Sequence, residues 1–338
     1  MQIPPSNTSE AFDAWAKEIV AQTGFALHEK MHQGTYYNRD YIRSAVYAGA
    51  WEGKPAVLKL YDDTRLTNEP LALETFNRNN QSNVLRAPAV YRFSVETPKR
   101  GWFIMERLPE GGSFFQSPLS KPEKATFVQL YVEYRKLFPT LPTRPLTLAE
   151  HLPAVEYHRT RIAQWLRLAN DKEEERAMKG QSPLLPPAEF LSRYLKALAA
   201  ITKEFSTRRM VWCHGHFKPN ELYGTQDERY YLMNFAHTKM FPEGYEVAFI
   251  VWADCLMIGD WKVPYERWRQ DIEEWKMLFE AQKEALGIKR FDDLWRASLL
   301  ERCIGTILAD FTASDLPREE QEARISYVYR LLDELLSV

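Results

Sequence analysis

Cysteine is scarce in this chain of 338 residues, which contains only Cys213, Cys255 and Cys303, far apart from one another. An odd number of widely separated cysteines excludes a disulfide framework and lacks the close pairs of a metal-binding motif. We interpret the three as reduced thiols of the core. Residues 1–8 are polar and rich in proline, without the apolar centre of a secretory signal. We therefore expect a reducing, cytoplasmic compartment.

Long apolar runs and a surplus of one charge are also missing. The most apolar segment, 247–259, contains Asp254 and is too short to span a bilayer. Lys and Arg number 44 and Asp and Glu number 46, a net charge of −2, so the chain has no strong basic field to attract nucleic acid. We expect neither membrane insertion nor nucleic-acid binding.

Strand patterns dominate the first hundred residues, after one helix. Helical spacing of apolar residues predicts a helix over 9–22, with Thr8 or Ser9 as its N-cap and Gly24 as its stop. Beyond it, the pattern predicts a short helix over 71–79 and strands over 42–49, 56–61, 90–95 and 101–106. Residues 51–55 form a hairpin signal between the first two of these strands.

Helical periodicity takes over after residue 112. It predicts helices over 121–138, 146–169 and 187–205, two short strands around Val211 and Tyr231, and further helices to the C-terminus. The length is sufficient for two hydrophobic cores. We place the boundary near Arg107, which gives a sheet-based domain of residues 1–106 and a helical domain of residues 107–338.

The segment His214-Gly215-His216-Phe217-Lys218-Pro219-Asn220-Glu221-Leu222 is followed by Leu232-Met233-Asn234-Phe235. This layout resembles the catalytic core of the aminoglycoside phosphotransferase and choline kinase-like family, over roughly residues 34–246. The family pattern is His-Gly-Asp-x-x-x-x-Asn, then an apolar pair and Asp-Phe. Here the first Asp is replaced by His216, the Asn by Glu221 and the second Asp by Asn234. The resemblance implies an α+β, bilobal protein-kinase-like fold, with a small antiparallel-sheet N-lobe and a larger, mostly helical C-lobe.

A lysine among apolar neighbours marks the nucleotide side of the resemblance. Lys59, in the segment 56–61, matches the kinase lysine that contacts nucleotide phosphates. Its expected partner is a carboxylate on the following helix, either Glu69 or Glu74. Family spacing favours Glu69, whereas Pro70 argues against it because a residue before proline is biased away from helical geometry.

Two further segments take nucleotide-binding places by the same resemblance. Residues 34–38 occupy the position of the phosphate-covering loop and contain a single glycine, Gly34. Met105 and Glu106 lie in the segment that connects the two lobes, whose backbone receives the adenine edge in kinases.

The resemblance also assigns roles in the catalytic loop. His214 and Glu246 match residues that brace this loop, and His216 stands where an Asp orients the acceptor hydroxyl. Imidazole also accepts a proton, since an unperturbed histidine has a pKa of about 6.5, but it lacks the negative charge of a carboxylate. Lys218 lies within the loop and is a candidate contact for phosphate or substrate.

The metal positions show an exchange of residue types. Where the family has an amide and then a carboxylate, this chain has Glu221 and then Asn234. The number of carboxylates stays at one, which is within the usual range for magnesium, whereas the near-octahedral geometry of that ion is the obstacle.

Two functions remain open from the sequence. The first is a pseudokinase-type protein that binds a nucleotide, a small molecule in the cleft between the lobes or a protein partner, with weak or no phosphoryl transfer. The second is an active ATP-dependent phosphotransferase that acts on a hydroxyl group of a neutral or anionic metabolite, with Glu221 and Asn234 as a rewired magnesium site. Titration with ATP, with and without magnesium, separates them.

Overall fold

A computed structural model describes residues 7–35, 41–64, 66–137, 146–259 and 261–337. The chain divides into two compact units. The first comprises Met1–Ser113 and Glu221–Thr238, and the second comprises Phe114–Asn220 and Lys239–Val338. The sequence suggested a single boundary at residue 106, and it did not indicate that residues 221–238 pack with the N-terminal part.

The strands have the following bounds: β1 (Ala26–Thr35), β2 (Ile42–Trp51), β3 (Lys54–Asp62), β4 (Leu85–Arg86), β5 (Val90–Val95), β6 (Arg100–Glu106), β7 (Ser113–Phe114), β8 (Met210–Cys213), β9 (Leu222–Gly224), β10 (Tyr230–Leu232) and β11 (Lys239–Pro242). The helices are α1 (Ser9–Thr23), α2 (Glu69–Asn79), α3 (Lys121–Lys136), α4 (Ala154–Met178), α5 (Pro187–Phe205), α6 (Tyr245–Val251), α7 (Tyr265–Ala281), α8 (Phe291–Gly305) and α9 (Arg318–Leu336).

A five-stranded antiparallel sheet forms most of the first unit, in the order β1-β2-β3-β6-β5. The predicted hairpin joins β2 to β3 through Glu52 and Gly53, whose φ angles of 49° and 78° are typical of a tight two-residue turn. Helix α1 begins after the Thr8 N-cap and ends at Gly24. Its apolar side packs on the sheet, through the buried residues Phe12, Trp15, Ala16 and Ile19.

A second, smaller sheet brings residues 221–238 into the first unit. Its order is β4-β10-β9-β7, with β9 and β10 forming an antiparallel hairpin and β10 pairing with β4 in parallel. This parallel pairing joins segments far apart in sequence. It explains why the C-terminal part of the signature is separated from residues 114–220.

The second unit consists mainly of helices α3 to α9, with β8 and β11 as a two-stranded antiparallel ribbon. The prediction of a helix over 146–169 was wrong at both ends. Residues 148–151 form a separate 3₁₀ turn, and α4 begins only after Pro153 and continues to Met178. Proline disfavours helical geometry in the residue before it and is well tolerated at a helix start, so it separates the two segments.

Two helices of the second unit widen into π-helical turns at their C-terminal ends. Helix α6 continues into the π-helix Trp252–Met257, and α8 continues into the π-helix Thr306–Thr312. Such turns are frequent at functional sites. No helix within the described ranges is long and apolar enough to cross a membrane.

Candidate functional site

A short ion pair joins strand β3 to helix α2 in the first unit. Lys59 on β3 donates to Glu69 at the start of α2, with 2.6 Å between Nζ and Oε2. The Lys59 side chain is 15% exposed and that of Glu69 is 3% exposed. Lys59 also lies 5.7 Å from the ring centre of Phe103, its neighbour on β6. The cation is therefore partly accessible, while its carboxylate partner is enclosed.

Glu69, and not Glu74, is the partner of Lys59. The objection from Pro70 fails because α2 starts at Glu69, so the proline occupies the first turn of the helix. Proline is favoured there because its missing N–H would have no intrahelical partner. Glu74 lies more than one turn further along α2 and faces another part of the unit.

Glu74 and Glu106 line a polar cavity of about 500 Å³ in the first unit. Glu106 is already engaged there, since its Oε2 accepts from the backbone N–H of Ala89 at 3.1 Å and its Oε1 from the Tyr231 hydroxyl at 3.4 Å. The Met105 side chain is buried. The Glu106 side chain thus has a structural role in this unit, and its backbone N–H already donates to the carbonyl of Ala89 at 2.8 Å. The adenine contact at Met105 and Glu106 stays a prediction.

Gly34 belongs to the end of β1 and pairs with Ser44 of β2. A Cβ atom at Gly34 would come within 2.6 Å of the Ser44 hydroxyl oxygen, so a side chain at this position would require the hydroxyl to move. Tyr36, Tyr37 and Asn38, the rest of the expected phosphate-covering loop, lie outside the described residues.

The β9–β10 hairpin explains why Glu221 and Asn234 meet. Leu222 pairs with Leu232, and the N–H of Met233 donates to the carbonyl of Glu221 at 2.9 Å. The next residue, Asn234, takes the left-handed conformation with φ 61° and ψ 54°, which asparagine tolerates better than most residues. Its Nδ2 donates to Glu221 Oε1 at 3.0 Å.

Helix α2 holds the segment after Asn234. Phe235 packs on Phe76 of α2 with ring centres 5.2 Å apart, and Nδ2 of Asn68 donates to the carbonyl of Thr238 at 3.2 Å. The helix that provides Glu69 therefore also supports the segment that provides Asn234. No local sequence signal identified this packing.

The Glu221–Asn234 pair has the donor atoms and spacing for one magnesium ion, under one condition. Adjacent ligands of an octahedral magnesium ion at about 2.0–2.1 Å are about 2.9 Å apart, close to the 3.0 Å between the two side chains. The amide must rotate so that its oxygen, instead of its N–H₂ group, faces the carboxylate. Within the described part of the chain, no group of three or more His, Cys, Asp or Glu side chains converges as a metal site. Any magnesium would take its remaining ligands from water and phosphate.

Residues 214–218 belong to the second unit, and we call them the catalytic-like loop. Glu246 holds this loop through a hydrogen bond. The carboxylate of Glu246 is 1% exposed. Its Oε1 accepts from the N–H of Gly215 at 2.9 Å, and its Oε2 accepts from the Tyr131 hydroxyl at 3.3 Å. Arg135 lies 3.6 Å from Oε2 and donates to the carbonyl of Trp212 at 2.8 Å. Burial raises the pKa of Glu246, while Arg135 acts in the opposite direction.

His214 and His216 have different environments in this loop. His214 is fully buried, and its Nδ1 accepts from the backbone N–H of His216 at 3.3 Å. Gly215 between them has φ 78°, a conformation that favours glycine. His216 is half-buried, with its ring 5.4 Å from that of Phe249 on α6. Lys218 is half-buried too. Arg135 and Tyr131, both on α3, were not anticipated from the sequence, because their contacts with Glu246 join residues more than a hundred positions apart.

Structural comparison relates the chain to small-molecule kinases. A thermostable mutant of the aminoglycoside phosphotransferase APH(4)-Ia, in ternary complex with ADP and hygromycin B, matches with a TM-score of 0.53 and 14% identity over 95% of this chain and 97% of that chain. Spectinomycin phosphotransferase APH(9)-Ia, in complex with ADP and spectinomycin, matches with a TM-score of 0.53 and 11% identity over 96% and 97%. Ethanolamine kinase of Plasmodium vivax matches with a TM-score of 0.54 and 13% identity over 90% and 83%.

No family model and no curated protein sequence matches the chain. At these low identities the structural likeness establishes the fold alone. The chain has the α+β, protein-kinase-like fold of aminoglycoside phosphotransferases and ethanolamine kinase, and the predicted fold class is confirmed.

Proposed function

We propose that this protein is a nucleotide-binding member of the kinase-like fold in which phosphoryl transfer is weak or absent. The observation that supports it most is the contrast between two pairs of the first unit. The Lys59–Glu69 ion pair has the chemistry to receive a phosphate. In the Glu221–Asn234 pair, by contrast, the amide N–H₂ group donates to the carboxylate.

Nucleotide binding is supported by the position of Lys59. Its ammonium group is partly exposed beside a buried carboxylate that fixes its place. A triphosphate offers such a cation a second anionic partner, and charge-assisted hydrogen bonds are the stronger kind. Structural neighbours that contain ADP are in line with this assignment.

Weak transfer is supported by the residue types at three positions. Phosphoryl transfer depends on positioned phosphates, on metal that neutralises their charge and on a group that orients the nucleophile. Glu221 and Asn234 together supply one negative charge, and an amide N–H₂ group faces the carboxylate. His216 has an imidazole in place of an anionic acceptor for the hydroxyl proton.

An active phosphotransferase is the second candidate, and a specific observation favours it. The 3.0 Å spacing of Glu221 and Asn234 fits two neighbouring ligands of one magnesium ion after rotation of the amide. When bound, such an ion would neutralise phosphate charge. The loop that carries His216 is also held by Glu246, whose carboxylate accepts from the N–H of Gly215 at 2.9 Å.

The test is a melting-temperature titration with ATP, in the presence and absence of magnesium. Binding to the native state raises the melting temperature by mass action. We expect a shift with ATP that depends little on magnesium. The absence of any shift up to millimolar ATP would exclude both the binding protein and the enzyme. A magnesium-dependent shift, with ATP turnover that is lost in Glu221→Gln, would establish the second candidate instead.

A converse experiment replaces the three changed positions together. The triple variant His216→Asp, Glu221→Asn and Asn234→Asp restores the family pattern, and we expect it to gain ATP turnover relative to the wild type. No gain would mean that parts of the frame beyond these positions are unsuited to transfer.

A cytoplasmic location is part of the proposal. All three cysteines are buried and free, and burial raises the pKa of each thiol. Thiols of this kind are unreactive and suit a reducing compartment.

A further inference from the structure

Arg302 on α8 is a buried guanidinium with an unused hydrogen-bonding edge. The residue is 3% exposed, and its Nε and Nη2 atoms have no hydrogen-bond partner among the residues that the structure describes. Glu301 Oε2 lies 3.6 Å from Nε, which is too far for a hydrogen bond. Buried unpaired donors are costly, and they call for an explanation.

The unused edge is the one that binds carboxylates in pairs of hydrogen bonds. Elsewhere in the molecule, Arg193 uses the same two atoms, Nε and Nη2, to bind both oxygens of Asp333 at 2.8 Å. Among the described residues, no acceptor makes a hydrogen bond to this fork of Arg302, and Glu301 lies beside it only as an ion-pair neighbour at 3.6 Å. A carboxylate or phosphate oxygen pair is the complementary group.

Arg161 on α4 adds a second cation to the same place. It lies 3.4 Å from Glu301 Oε1, and its side chain is 19% exposed. Glu301 is buried and also lies 3.2 Å from His158. Burial alone would raise the pKa of Glu301, but Arg161 and Arg302 lower it to about 2. One carboxylate is therefore shared between two guanidinium groups.

Aromatic rings hold both cations and connect them to the catalytic-like loop. Arg302 lies 4.6 Å from the ring centre of Tyr245 and 5.1 Å from that of Phe249, and Arg161 lies 5.0 Å from that of Tyr245. Phe249 also contacts His216, with ring centres 5.4 Å apart. Arg302 and His216 thus both lie next to the ring of Phe249.

The two π-helical turns provide the rim of this cluster. Trp252 opens the first turn and Asp310 lies in the second, and the indole Nε1 of Trp252 donates to Asp310 Oδ2 at 2.7 Å. Both residues are half-buried, as are Tyr157 and Trp165 of α4. The cluster therefore reaches the surface of the second unit on the side of Arg161.

We propose that Arg302 and Arg161 form a binding site for the anionic group of a small hydroxylated ligand, either a carboxylate or a phosphate monoester. This inference rests on the proposed function, because it identifies the acceptor side of a kinase-like protein as selective for anionic compounds. The two can fail separately, since the site lies within the second unit and its test needs no nucleotide.

The test uses compounds that share one sugar frame and differ in charge. Glucuronate and glucose 6-phosphate carry the two anionic groups, glucose is neutral and glucosamine is cationic. We expect calorimetric titration of the full chain without nucleotide to show at least one anionic member binding about 10- to 100-fold more tightly than glucose. The two anionic arms distinguish a carboxylate site from a phosphate site. Equal or tighter binding of glucosamine, or no binding of either anion up to about 10 mM, would overturn the proposal.

Two variants and a control locate the site. Arg302→Gln removes the unused fork, and Arg161→Gln removes the accessible cation. We expect each to abolish the preference for the anion over glucose. Arg159→Gln is the control, because Arg159 lies on the same helix but is exposed and paired with Glu156; it should leave the preference unchanged. If Arg302→Gln does not fold, Arg161→Gln decides, and an unchanged preference there would refute the assignment.

The pH dependence gives a further readout that a structural role would not produce. Burial raises the pKa of Asp310 to about 6, and the charged or titratable groups facing it and its neighbours are Arg161, Arg302, Glu301 and His158. A bound anion and the ionised carboxylate of Asp310 repel each other, and protonation of Asp310 removes this repulsion. Glucuronate should therefore bind more tightly as the pH falls from 8 to below 6. Glucuronate is the probe because carboxylates stay ionised over this range, whereas a phosphate monoester titrates near about 6.

Asp310→Asn retains an acceptor for the Trp252 indole and removes the charge. We expect this variant to bind glucuronate more tightly than the wild type at pH 8 and to lose the pH dependence. Unchanged pH dependence would contradict the proposal. Anion binding without any effect of ATP on melting would support this site while removing the nucleotide function, and the reverse result would do the opposite.

Discussion

Glu69 in the first unit and Glu246 in the second are both buried carboxylates that face a cation, but their surroundings differ. Glu69 has Lys59 at 2.6 Å, and that lysine is partly exposed. Glu246 has Arg135, the Tyr131 hydroxyl and the Gly215 N–H, all inside the unit. The comparison suggests that a buried acid can either hold a cation ready for a ligand or fix a loop permanently.

The largest effect is expected at Glu246, the buried acid that fixes the catalytic-like loop. Glu246→Ala leaves Arg135 without its buried partner, and breaking such a pair costs about 3–5 kcal/mol of unfolding free energy. Denaturant unfolding measures this loss. Glu266→Ala is the control, since Glu266 occupies the first turn of α7 in the same way but is exposed and paired with Arg330; surface pairs contribute at most about 1 kcal/mol. Equal losses in the two variants would remove the distinction between brace and surface acid.

The next largest effect is expected at the ion pair between Lys59 and Glu69. Lys59→Met should weaken ATP binding about 10- to 100-fold, because one charge-assisted hydrogen bond to phosphate is lost. Calorimetry below the melting temperature of the variant measures the affinity. Lys54→Met changes an exposed lysine at the other end of the same strand and should bind ATP as the wild type does. Unchanged affinity in Lys59→Met would place the nucleotide elsewhere.

A moderate effect is expected at Asp310, a largely buried acid whose Oδ2 accepts from the neutral indole of Trp252 at 2.7 Å. Its pKa of about 6 in the folded protein exceeds the value of about 3.9 in an unfolded chain. Folding therefore takes up a proton between pH 4 and 6, and this group makes the wild type less stable as the pH rises through that range. The unfolding free energy of Asp310→Asn, measured relative to that of the wild type, should therefore increase by about 1–3 kcal/mol from pH 4 to pH 7. Denaturant unfolding of both proteins at pH 4 and at pH 7 measures this difference. The same difference in unfolding free energy at both pH values would contradict the raised pKa.

The smallest effect is expected at Glu221, which faces an amide instead of a cation. In Glu221→Gln the side-chain oxygen can still accept from Asn234, so the local structure should persist. Without magnesium, ATP affinity should change by less than about threefold, towards tighter binding, because one negative charge near the phosphates is removed. A loss of more than tenfold would mean that Glu221 takes part in nucleotide binding directly.

The fold class could be predicted because the signature segments resemble those of a known family, and local signals indicated the individual helices and strands. The strand patterns on either side of Gly53 predict a hairpin, and the helical spacing from Ser9 predicts a helix. Each of these signals depends only on neighbouring residues. The position of residues 221–238 could not be predicted in this way. Their placement depends on the parallel pairing of β10 with β4, which joins residues about 145 positions apart.

The residues of the candidate site also fall into two groups, those that a sequence motif identifies and those whose role depends on long-range packing. Lys59, Glu221 and Asn234 were identified by their place in a motif, and the hairpin register brings the last two together. Arg135 and Arg302 carry no motif, and their importance comes from packing between distant helices. A signal for Arg302 was nevertheless present, since the charged pair Glu301-Arg302 lies between the apolar pairs Leu299-Leu300 and Cys303-Ile304 in a buried part of α8.

The most direct test of the central claim measures ATP binding and ATP consumption in one sample. Calorimetric titration of the wild type should give saturable heat that Lys59→Met lacks, and the ATP should be recovered intact after the titration. Two results would contradict the account: no saturable heat up to millimolar ATP, or conversion of the nucleotide to ADP at about one turnover per second or faster, as ordinary enzymes achieve.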